Sequence, residues 1–485
     1  MKKKLLVICY FLIQGLSSDV FTQIQFTPFI ISSNTQSTEG LYICDIDGDN
    51  RNDIIGAAAE NDHKVIWWRN EGGDPVQWTK IIIDDNFLGA GYVYAADLNN
   101  DLHIDVIACA KLGNQIAWYE NSGGSNITWT KHIIQSGYIF PHEVFACDLD
   151  KDGYKDVLAV SSTLGEITWW KNSGGNPINW TRFIIATNFS GAKSVHVGDF
   201  NGDSLPDVVA AGILNNKISW WENDGHIPIS WIEHVVSNNF IGAHRVQAVD
   251  LNNDGKLDIL GAAYYGNEIA WWKNEGGNPI IWTKQTIASN FTNVCIAIAV
   301  NIDNFGNFDV VGTAQNGNEV SWWRNDGGDP IVWTKFVIDG NFYRVWPICA
   351  GDLDGDGDTD IVAASGVMGN NEVKWYRSNL VIGIKKISSS EVIIRDMLYN
   401  NYPNPFNPST QITFDIVKSS FVRLKIYDIL GKEVATLINK KLQAGKYEVP
   451  FSINQNTKEQ LPSGVYFYKL ITDDYTKTKK MVLMK

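Results

Sequence analysis

Seven short acidic segments recur along the chain, and their side chains are those of a hard-cation site. They run from Asp45 to Asp53, Asp97 to Asp105, Asp148 to Asp156, Asp199 to Asp207, Asp250 to Asp258, Asn301 to Asp309 and Asp352 to Asp360, with successive starts 52, 51, 51, 51, 51 and 51 residues apart. Six share the pattern Asp-x-Asp/Asn-x-Asp-x-x-x-Asp. Calcium takes roughly six to eight oxygens in a flexible shell, which four oxygen-bearing side chains and a carbonyl within nine residues begin to supply. The expected side-chain ligands are positions 1, 3, 5 and 9, with the position 7 carbonyl completing the set.

The candidate ligands are Asp45, Asp47, Asp49 and Asp53 in the first segment and Asp97, Asn99, Asp101 and Asp105 in the second. The third offers Asp148, Asp150, Asp152 and Asp156, and the fourth Asp199, Asn201, Asp203 and Asp207. The fifth offers Asp250, Asn252, Asp254 and Asp258, and the seventh Asp352, Asp354, Asp356 and Asp360. The sixth has Asn301 and Phe305 at positions 1 and 5, leaving Asp303 and Asp309, so it is expected to bind weakly or not at all. Of 54 acidic residues, 23 occupy these positions in a chain of net charge −14. Without a cation such crowding raises carboxylate pKa values and costs stability. The competing reading is of ordinary Asp/Asn/Gly turns between strands. A glutamate at position 12 is missing, which points to a strand-loop-strand site rather than a helix-loop-helix one. The expected role is structural.

The elements that hold these loops repeat with them. An aromatic pair follows each start: Trp67-Trp68, Trp118-Tyr119, Trp169-Trp170, Trp220-Trp221, Trp271-Trp272, Trp322-Trp323 and Trp375-Tyr376. A turn such as Asn70-Glu71-Gly72-Gly73-Asp74-Pro75 comes after most of them, and then a single Trp (78, 129, 180, 231, 282, 333). These slots take 18 of the 19 tryptophans, which read as core between blades. Apolar runs between the turns mark four strands per unit; in the fifth they are Val246 to Leu251, Asp258 to Ala263, Glu268 to Lys273 and Trp282 to Ala288. Seven four-stranded units at a fixed period indicate a propeller. The seventh unit lacks a fourth strand, and residues 25–31 match residues 77–83. An N-terminal strand that completes the last blade closes the ring and removes an open edge. The fold class is therefore all-β: a seven-bladed β-propeller closed by an N-terminal strand, followed by a small C-terminal β-sandwich.

The repeat unit resembles FG-GAP (VCBS-type) repeats, the calcium-loop blades of integrin α-like propellers. The loop and its following apolar run, as in Asp352 to Ala364, carry the resemblance, which implies bound calcium and an extracellular binding or adhesion role. It covers residues 24 to 379.

Residues 1–23 read as a signal peptide: Lys2-Lys3-Lys4, an apolar stretch from Leu5 to Leu16, then Ser17 and Ser18. No other apolar run reaches membrane length, so no transmembrane segment is expected. The acidic balance argues against nucleic acid as a partner. The five cysteines beyond the signal, Cys44, Cys109, Cys147, Cys295 and Cys349, are odd in number and read as small buried residues rather than a disulfide framework.

Residues 380–396 read as linker and 397–485 as the second domain. Alternating runs such as Ile412 to Ile416, Val422 to Tyr427 and Gly464 to Leu470 suggest a sandwich. This domain resembles the type A C-terminal sorting domain of the type IX secretion system, through Asn401 to Thr410, Tyr427 to Gly431, Ala444-Gly445, Ser463 to Phe467 and the basic end from Lys479. The resemblance implies the type IX machinery as a partner, passage through the periplasm, and a secreted or outer-membrane surface location.

A ligand site is expected on the face opposite the acidic loops. Positions five and six residues before the loop starts vary from blade to blade. Tyr92, His142, Glu143, Lys193, His244, Arg245 and Trp346 among them would ring a central funnel. Solvated loop ends are the alternative. No catalytic motif is present, and no residue is assigned a catalytic role. The expected function is a secreted, calcium-binding propeller acting on an extracellular glycan or protein ligand. A glycan-specific lectin and a polysaccharide lyase-like enzyme, in which a base would take a proton beside a uronate carboxylate held by a cation, stand as alternatives, so enzymatic activity is left open but less expected.

Overall fold

The computed structural model describes residues 24–59, 61–226, 228–303, 307–366, 368–379, 385–387, 395–407, 409–442, 444–452 and 461–484. The proposed signal peptide and Phe305 lie outside the described residues. The described elements are strands and turns, and none is a helix long and apolar enough to cross a membrane.

Seven four-stranded antiparallel sheets form the blades. In the fifth, the strands are Ala243–Val249, Asp258–Ala263, Glu268–Asn274 and Trp282–Ala288, which are the runs read from the sequence to within three residues. The second strand of every blade is buried at all of its residues. A strand covered on both faces needs a continuous apolar run, and Asp258-Ile-Leu-Gly-Ala-Ala263 is such a run after its first residue. The seventh blade is completed by Gln25–Ser32, which pairs antiparallel with Val373–Asn379, so the closure expected from the missing fourth strand is present.

Seven apolar clusters lie between the blades, one at each seam. The closing seam joins Leu41, Ile54, Ile66 and Trp68 of the first blade to Leu353, Val362, Val373 and Trp375 of the seventh. Full burial of a large apolar side chain contributes ~1.5–3 kcal/mol, so these seams supply most of the ring's cohesion. The tryptophans of the aromatic pairs are buried in these seams. The single Trps are only half-buried, because the fourth strand lies on the outer rim. The five cysteines are free, with Cys109 and Cys295 buried and the others half-buried.

The C-terminal unit stacks two four-stranded sheets over one core that includes Ile412, Phe414, Leu424, Tyr447, Tyr468 and Leu470. Within the stretch read as linker, Lys385–Ile387 pairs with Lys446–Glu448 and adds an edge strand to this sandwich. Strand Glu433–Leu442 was not legible as an alternating run because its second half is polar.

Candidate functional site

Each acidic loop joins the first and second strands of its blade. In six loops the position 1 aspartate accepts the backbone N–H of position 6 at 2.8–2.9 Å. The position 5 aspartate accepts the N–H of position 7 at 2.7–3.1 Å. Positions 4 and 6 have left-handed backbones, for instance Gly355 and Gly357, so the chain wraps its carboxylates around one point. Glycine or asparagine suits such positions; Leu102, with φ 72°, does not.

The position 9 aspartate is buried in all seven loops and accepts two backbone N–H groups. One comes from position 2, at 3.0–3.3 Å. The other, at 2.7–2.9 Å, comes from Asn70, Asn121, Asn172, Asn223, Asn274, Asn325 or Ser378. Burial nevertheless pushes Asp53, Asp105, Asp156, Asp207 and Asp258 up to about 7 and Asp360 to about 8. Burial, then the Asp303 carboxylate, pushes Asp309 to about 8.

Three loops bring carboxylate oxygens within 4.8 Å of one another: Asp45, Asp47 and Asp53; Asp148, Asp150 and Asp156; and Asp352, Asp354 and Asp356. These are the loops with four carboxylates in the sequence. Asp150 Oδ1 is buried without a hydrogen-bond partner. Cationic side chains lie beside these loops: Arg51 pairs with Asp49, Lys171 with Asp150 and Asp152, and Arg377 with Asp354. Where position 3 is asparagine in the second and fourth blades, a glutamate stands alongside instead: Asn99 Nδ2 donates to Glu120 at 3.4 Å and Asn201 Nδ2 to Glu222 at 3.3 Å. Each glutamate also meets a histidine, His132 or His234, at 2.8 Å. These glutamates were not among the expected ligands, although their place directly after the aromatic pair marks them.

The asparagine that opens the turn after the aromatic pair, expected only as a turn former, links neighbouring blades. Its Nδ2 donates to the position 8 carbonyl of its own loop at 3.0–3.1 Å. It donates as well to the position 2 carbonyl of the preceding blade at 2.7–3.2 Å. Six blades are thus clamped to their neighbours at the loop face. Ser378 holds the seventh place, and its buried Oγ has no partner.

At the other end of the channel the inner strands bring all seven predicted funnel residues to one mouth, in two groups. Glu143 pairs with Arg245, whose Nη2 donates to the Tyr92 hydroxyl at 2.7 Å. Glu143 Oε2 also accepts the Val195 N–H at 3.1 Å. These three span blades two, three and five as a bonded strut rather than as free ligand groups, although the buried Arg245 Nε has no partner. A second pair, Lys111 with Glu39, joins blades two and one.

The other group holds no ion pair. Lys193 has no ion-pair partner among the described residues, and its ammonium lies 5.5 Å from the Trp346 ring centroid. His244 contacts Trp346 at 5.6 Å and His142 at 6.3 Å between ring centroids. His244 Nδ1 hydrogen-bonds the Cys295 carbonyl at 2.7 Å, while buried His142 Nε2 has no partner. Burial lowers the pKa of both histidines, with Lys193 and Lys111 adding to the effect, and it lowers Lys193 to about 8.

Fold and loops together define a seven-bladed propeller with acidic strand-loop-strand turns. Residues 45–108, 97–159, 148–210 and 199–261 each match the FG-GAP-like repeat, and residues 400–484 match the secretion system C-terminal sorting domain. The chain is an FG-GAP-repeat propeller carrying a type IX sorting domain. Among solved structures, BBS1N in complex with ARL6DN soaked with lead matches at 13% identity and a TM-score of 0.47, covering 73% of this chain and 96% of that one. The mercury-soaked form matches at 14% and 0.47, covering 72% and 95%. No curated protein matches.

Proposed function

We propose that the chain is a calcium-stabilised binding module, exported by the type IX route, that takes its ligand at the channel mouth opposite the acidic loops. The propeller of residues 24–379 is the binding unit, and the domain from residue 397 is its export tag. The loops hold calcium, and the ion fixes the hairpin between first and second strands. What carries the calcium reading is the set of three clusters with carboxylate oxygens within 4.8 Å of one another, one of them including the unpartnered Asp150 Oδ1. Six ions would take the formal charge from −14 to about −2. The glutamates of the second and fourth blades replace the carboxylate that Asn99 and Asn201 lack.

The mouth supports binding because it brings together an ammonium without an ion-pair partner, an unpartnered imidazole nitrogen and a half-buried Trp. Polar groups converging in a concave, partly apolar site are the usual make-up of a ligand pocket. The test uses the full chain in calcium and in chelator, with retention on a panel of polysaccharides and proteins and release of unsaturated sugar as readouts. Calcium-dependent retention without product supports the reading. Product release would instead make His142 a base and the protein a lyase.

A further inference from the structure

The mouth is bordered by apolar surface. Turns from second to third strands, and crossings from fourth strands to the next blade, all emerge at this end of the ring. Among the described residues they carry ten exposed large apolar side chains, the most open being Met368, Leu214, Tyr265, Ile241 and Leu112. Among the described residues, the opposite end carries four, Leu102, Ile281, Phe308 and Val332, among its acidic loops. Isolated exposed apolar residues need no explanation, but an apolar border around a concave polar centre marks a contact surface.

The charge inside the border is uneven. Lys111, Lys193 and Arg245 face Glu39 and Glu143. Two pairs form, and Lys193 is left over. A partly buried ammonium without a counter-ion is costly, and a carboxylate offsets that cost. Leucine, isoleucine and methionine supply seven of the ten border side chains and fit protein side chains, while Phe140, Tyr265 and Tyr343 supply aromatic faces. A polyuronate would bring one carboxylate per sugar to a mouth where, among Lys111, Lys193 and Arg245, only Lys193 lacks an ion pair with a described residue, on a chain of net charge −14.

We propose that this face docks a protein partner that inserts one Asp or Glu side chain, flanked by apolar residues, into the mouth against Lys193. The proposal rests on the mouth being the ligand site. Trp346 walls the inserted side chain, and the border covers the flanking residues.

The full chain in calcium is panned against displayed disulfide-closed peptides with a central Asp among varied Leu, Ile, Met and Phe. A matching library has Asn at the centre. Binders are expected from the Asp library alone. Lys193→Met should weaken them roughly thirtyfold or more, as loss of a desolvated charge partner does, and Lys193→Arg should largely preserve them. Leu214→Ser with Tyr265→Ser should weaken them roughly tenfold, and Ile232→Ser on the outer strand should not. Equal yield from the Asn library, indifference to Lys193→Met, or no binders at all overturns the proposal. Lys193-dependent retention of polygalacturonate without peptide binding overturns the protein partner and leaves the mouth as a ligand site. Loss of both overturns the mouth reading as well.

Discussion

The Asn70 side-chain amide donates to the Leu353 carbonyl at 2.7 Å across 283 residues of sequence. This bond clamps the first blade to the seventh, in the form that five other asparagines repeat around the ring. The same amide holds the Asn52 carbonyl at 3.0 Å, and its oxygen accepts the Gly72 N–H at 2.9 Å. Asn70→Ala strands these buried groups, and each unsatisfied group costs about 1–3 kcal/mol. A total loss of about 2–4 kcal/mol is expected. Urea unfolding measures it, and a loss under about 1 kcal/mol would show that the clamp is incidental.

Calcium and pH should act on the same groups. Burial raises the position 9 aspartates from 3.8 to about 7 without metal. A carboxyl whose folded pKa is raised favours the folded state when protonated, so its contribution is complete below the unfolded pKa and is lost as pH rises through the folded one. In chelator the melting temperature should therefore fall between about pH 5 and pH 8. Calcium binds the ionised form, so in excess calcium that fall should be abolished and the stabilisation by metal should grow with pH. Calorimetry across the range, with and without chelator, checks both arms. A calcium effect that shrinks with rising pH would contradict the loops as its site.

Leu102 holds a left-handed backbone at φ 72° with its side chain 90% exposed. A non-glycine residue pays about 1–2 kcal/mol there, while glycine costs roughly 0.5–1 kcal/mol in unfolded-chain entropy. Leu102→Gly loses no packing and should stabilise the chain by about 0.5–1 kcal/mol, read as a higher melting temperature. A lower one would mean that the leucine makes contacts its exposure does not suggest.

The ring was legible in the sequence because its signals are local and sevenfold. The loop spacing, the aromatic pairs and the missing fourth strand each report one blade at a time, and even the closing strand of residues 25–32 matches its counterparts directly. The pairings between blades were not legible. Nothing in the run from Asn70 to Pro75 shows that the asparagine reaches a carbonyl in another blade, and it reads as an ordinary turn former. The funnel shows the same limit. Counting positions brought Tyr92, Glu143 and Arg245 to the mouth, but only side-chain geometry shows that they bond one another while Lys193 is left without an ion pair.

The strut has its own consequence. Glu143 is 2% exposed and its charge is met by Arg245. Removing one member of a buried ion pair leaves the other uncompensated and costs about 3–5 kcal/mol. Arg245→Ala should therefore lower stability by that order, and loss of ligand binding in this variant would say nothing of a direct contact. The double variant Arg245→Met with Glu143→Gln should recover much of the stability. If Arg245→Ala melts as the parent does, the strut is not a support.

Lys193 gives a test in which mouth binding moves with pH and the fold need not. Burial lowers its ammonium to about 8, so the side chain is charged at neutral pH and neutral above that value. A carboxylate partner needs the charged form. Affinity for an acidic peptide should fall about tenfold between about pH 7 and pH 9, in proportion to the charged fraction. An ordinary lysine would show no such fall over that range. Lys193→Arg keeps its charge throughout and should flatten the profile. Titrating the peptide by calorimetry at several pH values, with calcium in excess, reads this directly. An equal fall in the Lys193→Arg protein would place the responsible titration elsewhere in the mouth.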